Sequence, residues 1–362
     1  MGNPTSILNA TVLNGNQNHE PLKDRKKDHI QLAFESQTGA KDLDERFYYE
    51  PMLSAHADEP LAPVRFLGKT MRAPLWISSM TGGTEQAHRI NHNLAKVCKE
   101  FGLGMGLGSC RVLLEENNRF QDFNLRPVIG YESPFYANLG IAQLEQAIEN
   151  GTLKMVGEMV NRLRADGLIV HVNPLQEWLQ PEGDHIVNPP IDTIKRLLDA
   201  FDFKIIVKEV GQGMGPKSLR ALFQLPLAAI DFAAFGGTNF AKLELLRGQE
   251  GNMQLYKEVA RLGHDACSMV EMANQIINEL GDKAICKEVI VSGGIHSFLD
   301  GYYLINKINC NSVYGQGSAF LKHARGTYGE LQQYVQGQIK GLEMANAFLE
   351  VKDAYKEPKF IF

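Results

Sequence analysis

Residues Leu168-Ile169-Val170-His171-Val172-Asn173-Pro174-Leu175-Gln176-Glu177 decide the fold. The apolar, β-branched run reads as a buried strand, and four functional side chains follow within seven positions of its end. His171 and Asn173 alternate onto one face of that strand. A lone histidine at a strand end reads as structural, but packing alone does not ask for His171, Asn173, Gln176 and Glu177 together.

The same rhythm extends in both directions. Strand candidates lie at 75–79, 104–108, 136–139, 168–172, 204–208, 228–233, 288–292 and 312–315, and several end in Gly, Ser, Thr or Asn. Helical patterns occupy 85–101, 141–165, 191–200, 218–224, 265–280, 297–305 and 328–350, while 113–123 carries no clear assignment. Eight strand–helix repeats in an α/β chain predict a (β/α)8 barrel, although an open doubly wound sheet shares much of the pattern. The barrel is preferred because no G-x-G-x-x-G stands at the first strand–helix turn and polar signatures follow nearly every strand. In a barrel those signatures converge on one mouth despite their separation in sequence.

Composition narrows the class. The 362 residues are 44% hydrophobic and 22% charged, which suits a cored globular protein and excludes wholesale disorder. A net charge of -5, from 37 basic and 42 acidic residues, is too mild to announce nucleic acid or an anionic membrane. Five scattered cysteines form no C-x-x-C pair, as expected in a reducing cytoplasm, and no apolar run is long enough to span a bilayer. Residues 1–23 read as a flexible arm, and 24–362 as the catalytic barrel domain. The barrel segment opens with the cationic cluster Arg25-Lys26-Lys27-Asp28-His29 and a helical pattern through Ile30, Leu32, Ala33 and Phe34.

Each strand end has a chemical and a bland reading. In Ser78-Ser79-Met80-Thr81-Gly82-Gly83 the glycines admit a flat ligand, but a tight turn uses the same residues. Arg111, in Gly108-Ser109-Cys110-Arg111, can grip phosphate with two parallel N–H bonds or form a surface ion pair. Asn138 can serve a ligand or a turn. Glu177 suits Mg2+, which takes one or two carboxylates with phosphate and water oxygens, and Gln176 can orient or relay through hydrogen bonds. Lys208 closes a buried run and must meet an anion or pair internally. Gly236-Gly237-Thr238-Asn239-Phe240 opens a long polar stretch to Gly263, of the kind that forms lids or partly disordered segments. Ser292-Gly293-Gly294-Ile295 and Gly315-Gln316-Gly317-Ser318-Ala319 follow the last two strands, where barrels cradle phosphate on backbone amides. These residues predict one phosphate-bearing ligand over the barrel and a second anion near the arm.

The ordered motifs Arg25-Lys26-x-Asp28-His29-Ile30, Met80-Thr81-Gly82-Gly83, Gly108-Ser109-x-Arg111, His171-x-Asn173-x-x-Gln176-Glu177, Lys208-Glu209-x-Gly211, Gly236-Gly237-Thr238 and Ser292-Gly293-Gly294 resemble those of the type 2 isopentenyl diphosphate isomerases. The resemblance spans about residues 23–350. It implies an FMN-binding TIM barrel that interconverts isopentenyl and dimethylallyl diphosphate with reduced flavin and Mg2+, NADPH serving only to reduce the flavin. By that resemblance Ser79, Met80, Thr81, Ser109, Asn138, Lys208, Thr238, Gly293, Gly294, Ser318 and Ala319 contact FMN. Arg25, Lys26, His29, Ser109, Arg111, His171, Asn173 and Gln176 surround the substrate, with Gln176, His171 and Asn173 as the catalytic group, and Glu177 holds the metal. The family also implies a homo-oligomer.

Three positions depart from the family pattern: Ala233 in place of serine, Cys110 in place of glutamine and Phe240 in place of tryptophan. Cys110 is the best candidate for a reactive thiol, with a packed cysteine as its ordinary alternative. Two other functions remain compatible with the residues, an FMN-dependent 2-hydroxy acid oxidase and a non-catalytic flavin- or phosphate-binding barrel.

Overall fold

The eight apolar runs form β1 (Leu75–Ile77), β2 (Gly104–Gly106), β3 (Phe135–Gly140), β4 (Gly167–His171), β5 (Lys204–Lys208), β6 (Ala229–Asp231), β7 (Glu288–Ser292) and β8 (Asn311–Gln316). They pair in parallel, in sequence order, and β8 returns to β1 to close the barrel. The computed structural model describes residues 28–56, 59–78, 85–115, 119–248 and 254–352. Two compact units result, Met1–Glu45 and Arg46–Phe362. In the first, residues 28–32 are helical and Ile30 and Phe34 are exposed.

Inside the barrel of the second unit, period-two alternation stacks two layers of different chemistry. The lower layer is apolar: Trp76, Tyr136, Ile169, Ile206, Ala229, Ile290 and Val313 form one buried cluster. β2 contributes Gly104, whose absent side chain makes room for the indole, since a Cβ there would lie 2.5 Å from the Trp76 ring. A hairpin of Val64–Phe66 and Lys69–Met71 caps this end with Phe66, Leu67 and Met71. Two residues further along the strands, the same faces present Ser78, Gly106, Asn138, His171, Lys208, Asp231, Ser292 and Gly315. Every one of these upper positions is polar or glycine, so the apolar filling stops below the mouth.

The helices pack the other strand faces into a second, larger core. They are α1 (Glu85–Phe101), α2 (Ile141–Glu149), α3 (Leu153–Leu163), α4 (Pro174–Leu179), α5 (Pro190–Ala200), α6 (Pro216–Phe223), α7 (Phe240–Arg247), α8 (Ala266–Leu280), α9 (Phe298–Lys307), α10 (Ser318–Ala324) and α11 (Tyr328–Phe348). No helix among the described residues is long and apolar enough to cross a membrane.

The structure corrects several expected boundaries. The single helix expected over 141–165 is two, because Gly151 takes a left-handed φ of 68° between α2 and α3. The unassigned stretch near 113–123 contains the short helices Val112–Glu115 and Phe120–Phe123. The polar stretch after β6 opens with α7, capped by Asn239, and ends with the 3-10 turn Val259–Arg261, its middle lying outside the described residues. The last helix stops at Phe348, and Leu349–Val351 pairs antiparallel with Phe47–Tyr49.

Candidate active site at the barrel mouth

The loops after β6, β7 and β8 line an open cleft, walled by Lys208, Thr238, Gly293, Gly294, Ser318 and Ala319 among others. Its floor includes Ser78, Ser292 and Gly315 of the upper layer. The Ser78 hydroxyl is buried without a hydrogen-bond partner among the described residues, so the floor offers a polar group to a ligand. Two glycine turns cross above it. Gly236, Gly293 and Gly294 have φ values of 117°, 88° and 70°, and a Cβ on Gly293 would lie 2.1 Å from the Ala234 carbonyl oxygen. Only glycine permits this backbone-to-backbone approach. Ala233, one of the departures, also holds a positive φ of 41° and lines the cleft, a strained conformation for a residue with a Cβ. Phe240 lines it as well.

Lys208 rises from the end of β5 into this cleft. Its Nζ donates to the Glu209 carbonyl oxygen at 2.7 Å. Its register partner on β6 is Asp231, a fully buried carboxyl that accepts a hydrogen bond from the Ser292 hydroxyl and has one oxygen unpartnered. Burial pushes the Asp231 carboxyl up, against the pull of Lys208 and Ser292. The Glu209 carboxylate turns away from Lys208 and accepts the backbone N–H groups of Gly211, Gln212 and Gly213 at 2.6, 2.7 and 2.9 Å. That turn sets the loop after β5.

Across the mouth, His171 Nδ1 lies 2.8 Å from Asn138 Oδ1, while Asn138 Nδ2 donates to the Leu107 carbonyl oxygen at 2.9 Å. Burial, reinforced by the Lys208 charge, pushes the imidazole down to about 3. Beyond β4, Pro174 starts α4 and brings Gln176 and Glu177 back over Asn173. Asn173 Nδ2 donates to Glu177 Oε1 at 2.8 Å and to Gln176 Oε1 at 3.2 Å. Gln176 Nε2 donates to Glu244 Oε1 of α7 at 3.0 Å. Glu244 is 1% exposed and also meets Arg247 at 3.2 Å. The carboxamide of Gln176 is therefore held at both ends.

Arg111 stands half exposed on the β2 side, with NH1 2.7 Å from Asp184 Oδ2 and Nε 3.2 Å from Glu115 Oε1. Cys110 beside it is buried, its Sγ 3.5 Å from the Gly108 carbonyl oxygen, and burial pushes the thiol up to about 12. Of the two readings of this cysteine, burial favours the packed one.

The expected flavin set is thus partly gathered. Lys208, Thr238, Gly293, Gly294, Ser318 and Ala319 share one cleft, Asn138 pairs with His171, and Ser109 precedes Arg111 on the β2 loop. Ser79, Met80 and Thr81 lie outside the described residues, as do Arg25 and Lys26. His29 is exposed in the first unit. Sequence reasoning missed Asp231, Glu244 and Asp184. The alternation that placed Lys208 also pointed to Asp231, whereas Glu244 and Asp184 reach the site through contacts that no local pattern announces.

Among the described residues no group of three or more His, Cys, Asp or Glu could hold a metal ion by itself. A closed parallel barrel with its polar groups at the C-terminal strand ends defines the class, that of the (β/α)8-barrel enzymes. Solved structures of the same fold include a mandelate oxidase mutant with the monooxide FMN adduct, at a TM-score of 0.54 and 11% identity over 85% of this chain and 88% of that one. A mutant flavocytochrome b2 with pyruvate bound matches at 0.58 and 12%, over 83% and 72%. No protein-family model matches the chain. Curated isopentenyl-diphosphate delta-isomerases of Rickettsia africae (strain ESF-5) and Rickettsia conorii (strain ATCC VR-613 / Malish 7) are 32% identical over 328 residues, covering 89% of this chain and 92% of each relative. That of Rickettsia prowazekii (strain Madrid E) is 30% identical over 308 residues, 83% of this chain and 86% of its own. The chain belongs to the isopentenyl-diphosphate delta-isomerase family and is an enzyme.

Proposed function

We propose that the chain interconverts isopentenyl and dimethylallyl diphosphate, with reduced FMN in the glycine-lined cleft and Mg2+ at Glu177. The observation that carries this reading is the cleft itself, where a buried lysine, an unpartnered Ser78 hydroxyl and a Cβ-free cradle surround one space. Those groups fit a phosphorylated flavin: amides at Gly293, Gly294 and Ser318 suit the phosphate, and the Lys208 ammonium suits an anionic ring edge. When bound, reduced FMN supplies an electron-rich face and a proton-bearing N5.

The chain's own groups complete the chemistry. Protonation of the terminal alkene carbon gives a tertiary cation, and loss of a proton from the neighbouring methylene finishes the shift with no net redox change. Gln176, held by Asn173 and Glu244, keeps a fixed hydrogen-bonding edge beside that path. Arg111 meets the diphosphate, together with Ser109. Glu177 is a single carboxylate, so the metal would complete its shell with diphosphate and water oxygens, which suits Mg2+. His171, with Asn138 beside it, is an oriented and neutral hydrogen-bonding group of the catalytic set. NADPH is the expected reductant, in a cytoplasmic homo-oligomer.

Anaerobic protein with FMN, dithionite and Mg2+ should convert isopentenyl diphosphate to its isomer without consuming reductant in proportion to turnover. No conversion with flavin bound would reject the assignment.

A further inference from the structure

We propose that Asp184 is the positioning residue that presents the Arg111 guanidinium to a diphosphate and ties that presentation to Glu177. The inference rests on the reading in which Arg111 and Glu177 meet the substrate's diphosphate and its metal.

Arg111 is a long, half-exposed side chain on a loop, and an arginine in that setting is ordinarily mobile. Here two of its nitrogens are committed. NH1 donates to Asp184 Oδ2 at 2.7 Å and Nε donates to Glu115 Oε1 at 3.2 Å. Among the described residues three of its five N–H groups remain without a partner, one on Nη1 and two on Nη2, enough for two phosphate oxygens. The Glu115 contact is an exposed i,i+4 pair and restrains little. Asp184 is different. Its Oδ2 also accepts from Gln143 Nε2 at 2.7 Å and its Oδ1 from Gln146 Nε2 at 3.2 Å, so α2 holds the carboxylate while the carboxylate holds the arginine.

The link to Glu177 runs through the backbone. The Asp184 N–H donates to Glu177 Oε2 at 2.8 Å. The preceding Gly183 has no room for a side chain, because a Cβ would lie 1.9 Å from the Glu177 carbonyl oxygen. Three residues on, the Val187 and Asn188 N–H groups donate to Glu145 of α2, a carboxylate only 3% exposed. Segment 183–188 is therefore a strap pinned at one end to the metal carboxylate and at the other to α2, with Asp184 reaching Arg111 between the pins. A diphosphate binding across the two would find both ends preset, which spares the cost of ordering them.

The test uses FMN-loaded full-length enzyme. For Asp184→Ala, Asp184→Asn and Arg111→Gln one would measure kcat, KM for isopentenyl diphosphate, the Kd of inorganic pyrophosphate with Mg2+, and flavin retention. Asp184→Ala should raise KM and the pyrophosphate Kd about tenfold or more, with kcat changed by less than about threefold and flavin retained. Asp184→Asn, which keeps one acceptor oxygen, should recover part of that loss. In the double variant Arg111→Gln/Asp184→Ala the two effects should not multiply, because Asp184 acts through Arg111. Multiplying effects, or loss of flavin and kcat at unchanged KM, overturn the inference in favour of a general structural role. A costly Arg111→Gln with a neutral Asp184→Ala overturns it alone. A neutral Arg111→Gln overturns the underlying reading and this inference with it.

Discussion

Asn138 and His171, on neighbouring strands, share a hydrogen bond of 2.8 Å whose direction fixes the imidazole tautomer. Asn138 Nδ2 is spent on the Leu107 carbonyl oxygen, so its Oδ1 is the atom presented to the ring. A neutral His171 then donates from Nδ1 and keeps a lone pair on Nε2. The ring is an oriented acceptor, held neutral by burial and by Lys208.

That state has a pH signature. The folded pKa is depressed to about 3, from an ordinary value of 6.5, so the unfolded chain binds the extra proton first as pH falls. The stability His171 contributes is complete above 6.5 and is lost toward 3, at no more than about 1.4 kcal/mol per pH unit. Denaturant titrations of wild type and His171→Gln from pH 7 to 5 should show wild type losing stability faster. Parallel pH dependence would mean that the imidazole is not held neutral.

Lys208 and Asp231 sit in register at the ends of β5 and β6. Lys208→Met removes the hydrogen bond to the Glu209 carbonyl and leaves Asp231 without its neighbouring cation. The flavin-free protein should lose about 1–3 kcal/mol in urea denaturation, with part of that regained in Lys208→Met/Asp231→Asn. Both variants should retain FMN more weakly. Equal destabilisation of the single and double variants would show that the two charges do not interact.

Gly293→Ala and Gly337→Ala make a matched pair. At Gly293 the added methyl meets the Ala234 backbone with φ at 88°, and the variant should fail to retain flavin and lose well over about 2 kcal/mol. Within α11 nothing lies within 4 Å of a Cβ on Gly337, and alanine should add about 0.5–1 kcal/mol of stability with flavin binding intact. Thermal melts and retained flavin absorbance after gel filtration read both.

Glu177 accepts from Asn173 Nδ2 on one oxygen and from the Asp184 N–H on the other. Glu177→Gln keeps the size, removes the charge and can satisfy only one of those donors. The Mg2+ concentration for half-maximal activity should rise about tenfold or more while FMN stays bound, because Glu177 lies outside the flavin cleft. An unaltered Mg2+ titration would take the metal role from this residue.

The barrel was legible because β-branched runs such as Ile205-Ile206-Val207 leave little choice of conformation, and because each ends in a polar signature. Much of the site was legible for the same reason: alternation along β4 and β5 sends His171 and Lys208 to the mouth. The supporting residues were not. Asp184 meets Arg111 across 73 positions and Gln176 meets Glu244 across 68, and single exposed-looking acids in polar stretches carry no mark of such partners. The break at Gly151 was hidden too, since the amphipathic pattern continues on both sides of it.

The hairpin closes the lower end of the barrel with Phe66, Leu67 and Met71, so among the described residues the polar layer opens at the opposite end. Under the proposed function, a flavin seated against that layer with the diphosphate over it would leave only after its outer neighbour had gone, so turnover of the substrate would also set how long the cofactor stays.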